Sequence, residues 1–115
     1  MTIWLNPNPL VLTRSVNERV ANDINFAKFV SKSIRRFNQG DWGNIDAEDW
    51  QANDRNLQSL NDGGWYGQIL GNYAEFSEKL DGLGVMRGSY HIWVIRNTAL
   101  EDGTQTITVL FPEEY

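Results

Sequence analysis

The sequence predicts an α+β fold in a single domain, residues 1–115, with two helices packed on an antiparallel sheet of about four strands in the chain order β-α-α-β-β-β. Three observations predict it. Apolar side chains recur at helical spacing between residues 26 and 37. A second segment opens at Asp46 with the chemistry of a helix N-terminus. The run Tyr90-His91-Ile92-Trp93-Val94-Ile95 is apolar, β-branched and aromatic, and turn residues join it to a second such run.

The first residues, 4–9, read as an irregular lead-in, because Asn6-Pro7-Asn8-Pro9 favours turns and refuses helix. Leu10-Val11-Leu12-Thr13-Arg14 has the character of a short strand. Residues 15–22 hold one helical turn, with Ser15 as N-cap and Glu18 as its capping-box partner. The first long helix is expected over residues 23–38. Phe26, Phe29, Val30, Ser33, Ile34 and Phe37 share one face, Arg35 and Arg36 sit at the negative end of its dipole, and Gly40 stops it.

Residues 41–43 form a tight link whose Trp42 folds back on the helices. The second helix starts at the N-cap Asp46, carries Glu48 and Asp49 in its first turn, and runs to residue 59 or 60 with Trp50, Asn53 and Leu57 inward. Asn61-Asp62-Gly63-Gly64 ends it. A strand is expected near residues 66–73, where Gly67 and Gly71 point to a bulge or an edge. Residues 77–89 read as a glycine-rich loop with a helical turn at 78–80. The run at 90–95 is apolar on both sides and therefore central. Leu100-Glu101-Asp102-Gly103 supplies a hairpin turn, residues 104–111 return as its partner, and Pro112 ends the strand.

At 115 residues the chain can bury one core without disulfides, and it has no cysteine to form them. Its longest apolar runs fall far short of the ~20 residues of a membrane span. The N-terminus lacks a basic region followed by a long apolar one, so no signal peptide is read and the expected location is cytoplasmic. Charge is unevenly spread. Residues 1–40 carry a balance of +4, residues 41–62 a balance of −5, and residues 63–115 a balance of −4. An acidic block repels phosphate backbones and attracts basic, nucleic-acid-binding proteins.

The residues do not assemble a catalytic set. His91, the only histidine, lies within the central strand pattern and reads as a sheet or core residue. A transition-metal site would lack its usual ligands, and the acids at 46, 48, 49 and 54 lack the spacing of a calcium loop. No serine sits in a nucleophile elbow, and no phosphate-cradling glycine motif follows a strand. The expectation is a protein that is not an enzyme and needs no cofactor.

The segments IRRFNQGDWG, DAEDWQAND, GQILGNY, HIWVI and TVLFPEEY, in that order, resemble a family of short, largely uncharacterised proteins carried on plasmids, conjugative elements and prophages of Gram-positive bacteria. The family pattern is RF..GDWG...ED...ND, then ILG.Y, IWII and LFP.EY. The resemblance spans about residues 10–115 and departs in the 76–89 connection and at Arg96-Asn97. In size and acidity the chain is also similar to anti-CRISPR proteins. The resemblance implies an inhibitor of a host defence system, such as an anti-CRISPR protein that acts as a DNA mimic on a Cas effector. The expected contact residues are Asp41, Trp42, Asp46, Glu48, Asp49, Trp50 and Asp54, with Asp41, Glu48, Asp49 and Asp54 standing in for phosphates and Trp42 or Trp50, if exposed, serving as anchor. The alternative is a small structural or regulatory adaptor of a mobile element, a homodimer whose tryptophans are core and whose residues 110–115 dock on the sheet or on a second copy.

Overall fold

The computed structural model describes residues 10–62, 67–76, 89–98 and 105–115. The elements in chain order are β1 (Leu10–Leu12), α1 (Arg14–Asn22), α2 (Ile24–Asn38), α3 (Ala47–Asn61), β2 (Ile69–Phe76), β3 (Ser89–Thr98) and β4 (Gln105–Leu110), followed by a short 3-10 turn at Pro112–Glu114. The fold is α+β, with two corrections to the expected topology. Among the described residues there are three helices, giving the order β-α-α-α-β-β-β, and the four-stranded sheet is mixed.

The extra helix is α1, where a single turn was expected. Its N-cap is Thr13, whose hydroxyl accepts from the Val16 amide at 3.3 Å, so Ser15 lies inside the helix instead of capping it. Val16 and Val20, one turn apart, give this nine-residue helix an apolar stripe: Val16 is fully buried and Val20 packs against the core. Asp23 then ends α1 and caps α2, accepting from the Phe26 amide at 3.0 Å. Along α2 the predicted face is the buried one, with Phe26, Phe29, Val30, Ser33 and Phe37 all inside. Each large apolar side chain there contributes on the order of 2 kcal/mol of burial.

The sheet order is β1-β4-β3-β2. β3 is central, as predicted, and pairs antiparallel with both neighbours. β1 instead runs parallel to β4, with Leu10 opposite Ile107 and Leu12 opposite Val109. Apolar matching explains the choice, because this register adds Leu12 to the layer of Ile107 and Val109 beneath the helices. β2 lies three residues further along the chain than expected and forms an edge. Residue alternation puts Ile69, Tyr73, Ile92, Val94, Ile107 and Val109 on the helix side, where they join Val16 and the α2 face in one core.

The other face carries Trp93, with the Tyr115 ring edge-on at 5.3 Å. The C-terminal residue thus docks on its own sheet, and a shared Glu114 carboxylate accepts from Thr13 Oγ1 at 2.9 Å and from the Phe111 amide at 2.8 Å. The lead-in at 4–9, the glycines at 63–64, the helical turn at 78–80 and the hairpin turn at 100–103 lie outside the described residues. No helix among the described residues is long and apolar enough to cross a membrane.

Candidate partner-binding site

The acidic segment begins where α2 stops. Gly40 takes a left-handed φ of 79°, and the chain turns so that the Arg36 guanidinium meets Asp41 with two hydrogen bonds, at 2.8 and 3.2 Å. Asp41 Oδ1 also accepts from the Gly43 amide at 3.1 Å, and its main-chain oxygen accepts from Tyr73 Oη at 2.7 Å. The Arg36 hydrogen bond is the main reason that the Asp41 carboxyl is held below the usual carboxylate range. Burial is the main reason that the Tyr73 phenol is pushed well above its ordinary value.

Next to this lock, Trp42 is only 2% exposed and sits edge-on to Phe37 at 5.3 Å. Its indole N–H donates to Asp54 Oδ1 at 2.9 Å. Its carbonyl accepts from the Asn72 amide at 2.9 Å, and the Asn44 amide donates to the Asn72 carbonyl at 2.7 Å. Gly43 therefore forms a parallel bridge with Asn72 and extends the sheet by one link beyond β2. Its φ of 80° and the closeness of the Asn72 carbonyl leave no room for a Cβ.

Asp46 caps α3 as predicted, accepting from the Asp49 amide at 2.8 Å. The helix then turns two asparagines toward the sheet edge. Asn53, 6% exposed, donates to the Leu70 carbonyl at 2.8 Å and accepts from the Leu70 amide at 3.3 Å. Asn56 donates to the Gln68 carbonyl at 3.1 Å. Together with the Gly43 bridge, these side chains cover the start of the edge, at residues 68–72, where free donors and acceptors would otherwise face another strand.

Each expected contact residue now has a place. Trp42 is interior, folded back on Phe37 of α2 as expected, so it does not supply the exposed tryptophan that an anchor needs. Trp50 is half-buried and packs against the core. Asp41 and Asp54 each hold an internal hydrogen bond, and Asp46 is occupied as a cap. Glu48 and Asp49 are exposed and have no side-chain partner among the described residues. The acids do not form one row. Asp49 and Asp54 are five residues apart on α3, which separates them by about 140° around the axis. Asp54 flanks Trp42, Glu48 points outward with Gln51, Arg55 and Gln58, and Asp49 lies on the β2 side.

On that side a groove of about 280 Å³ runs between α3 and β2, lined by Ile45, Asp49, Ala52, Asn53, Asn56, Gln68 and Leu70. This groove is not among the expectations drawn from the sequence. The signal present was a pair of asparagines, 53 and 56, on the inward side of an amphipathic helix, since buried amides need partners. His91 is exposed on the open sheet face, 2.6 Å from Asn72 Oδ1. Among the described residues no three His, Asp or Glu side chains are grouped to hold a metal ion. The chain matches no protein-family model, no curated protein and no solved structure.

Proposed function

We propose that this protein is a non-enzymatic inhibitor of a host defence system, an anti-CRISPR protein that binds a Cas effector in the cytoplasm and blocks its nucleic-acid channel. The observation that carries the reading is the first turn of α3, where the Glu48 and Asp49 side chains stand exposed and without partners among the described residues, next to the cap Asp46. Carboxylates on a rigid helix attract the basic lining of a nucleic-acid channel and steer the encounter. The sequence resemblance to proteins of mobile elements supports the same direction.

The reading assigns unequal weights to the acids. Glu48 and Asp49 make the contact, whereas Asp41, Asp46 and Asp54 hold the surface in shape. Capture of purified Cas effectors by the tagged protein, with and without guide RNA and at two salt concentrations, tests it. The expected result is capture of one effector that weakens with salt and with bound nucleic acid. Failure to capture any effector of a broad panel contradicts it.

A second reading, a homodimeric adaptor of a mobile genetic element, draws on a different observation. Leu10 is 51% exposed and Val11 44% exposed on the edge strand β1, and Tyr115 is 70% exposed on the sheet. Light scattering at two concentrations separates the readings, because a monomer at the higher concentration removes the dimer.

A further inference from the structure

The groove between α3 and β2 has an apolar floor, Ile45, Ala52 and Leu70, and a carboxylate at its rim, Asp49. Its volume, about 280 Å³, lies just below the range typical of small-molecule sites and suits one long side chain. The asparagines that α3 contributes to its lining are already engaged: Asn53 with the Leu70 main chain and Asn56 with the Gln68 carbonyl. They stiffen the walls, and Asp49 remains the rim group without a side-chain partner among the described residues. The positive end of the α3 dipole stabilises a carboxylate at that position.

We infer that this groove seats an arginine side chain of the partner protein, with its aliphatic stem on Ile45, Ala52 and Leu70 and its guanidinium on Asp49. The inference rests on the inhibitor reading for the identity of the partner and deepens it by naming the anchor. A guanidinium is planar and weakly hydrated, so it lies against an apolar wall and forks onto a carboxylate at lower cost than an ammonium group. The Asp49 carboxylate, the one charged side chain of the groove's lining, complements it, and basic nucleic-acid channels are rich in such side chains.

The test uses nuclear magnetic resonance on the isotope-labelled full chain, titrated with the peptide acetyl-Gly-Arg-Gly-amide and, separately, with its citrulline counterpart, which keeps the shape and lacks the charge. The expected result is saturable shifts at Ala52 and at the side-chain amides of Asn53, Asn56 and Gln68, with a Kd on the order of 1 mM. Citrulline shifts none of these. Asp49→Asn, which keeps the Asp46 cap bond to its amide, weakens the arginine peptide about fivefold or more, while Glu48→Gln changes it less than about twofold. Unchanged thermal unfolding of both variants shows that the fold is intact. Shifts that follow all acids without saturation, equal shifts with citrulline, or no loss in Asp49→Asn would overturn the inference. The peptide arms need no effector, so their outcome is separate from the capture experiment. An effector held by wild type and equally by Asp49→Asn removes the groove and leaves the inhibitor reading in place.

Discussion

Gly43 and Gly40 both adopt left-handed backbone, at φ values of 80° and 79°, yet their surroundings differ. At Gly40 a Cβ would meet nothing within 4 Å, so Gly40→Ala adds only conformational strain, about 1 kcal/mol. At Gly43 it would strike the Asn72 carbonyl and the Tyr73 ring, so the same change breaks the bridge to β2 and costs about 3 kcal/mol or more. Urea unfolding of the two variants measures the difference, and equal losses would contradict the role given to the bridge. Much at this scale was readable in advance. The cap Asp46 follows from local chemistry, because a side-chain oxygen and an amide three residues on are neighbours in sequence, whereas Asp23, expected as the first residue of its helix, is that helix's cap, and Thr13 takes the place expected of Ser15. Trp42 was not decidable in the same way, since its burial depends on Phe37 and on Asp54, twelve residues away.

At the level of elements, α3 serves as the cover of a sheet edge, and Asn53 is its fastener. Asn53→Ala leaves the Leu70 amide and carbonyl without their partner in a part-buried position, an expected loss of about 2 kcal/mol. Asn56→Ala removes one hydrogen bond and costs about 1 kcal/mol or less. Amide exchange at Leu70 should quicken in the first variant, and unchanged exchange there would contradict the cover. The mixed sheet shows what periodicity leaves open. Leu10, Val11 and Leu12 read as a strand in the sequence, but their parallel partners, Ile107 to Val109, lie almost a hundred residues away. Local propensity names a strand without naming its neighbour. Helix α1 was underestimated for a related reason: Val16 and Val20 give it only a narrow stripe, and its stability comes from packing on the core.

For the whole molecule, two titrating groups around the same turn make stability depend on pH at opposite ends of the scale. Asp41 is depressed in the folded state, so its contribution is present above its ordinary value of 3.8 and is lost as the pH falls through its lower folded value. The pair with Arg36 is partly exposed, at 35% and 42%, so that contribution stays below about 1 kcal/mol. Tyr73 is raised, so stability is complete below its ordinary value of 10.0 and declines as pH rises beyond it, because only the unfolded chain ionises there. Tyr73→Phe should flatten the alkaline limb of the stability profile while losing about 1 kcal/mol at neutral pH with the bond to the Asp41 carbonyl. An alkaline limb as steep as in wild type would contradict the assignment.

The same division of labour among the acids decides the functional account. Charge reversal at Asp41 or Asp54 would injure the fold and the surface together, and so could not report on binding alone. The Glu48 and Asp49 side chains have no hydrogen-bond or ion-pair partner among the described residues, so reversing them acts mainly on the surface, with a cost to the helix of about 1 kcal/mol each from the dipole at the first turn. The most direct measurement is therefore displacement of guide or target nucleic acid from the captured Cas effector by wild type and by the Glu48→Lys, Asp49→Lys double variant, with thermal unfolding recorded for both. The account predicts displacement by wild type and a loss of tenfold or more, roughly 1.4 kcal/mol, in a variant that still folds. Undiminished displacement by the folded variant would contradict it.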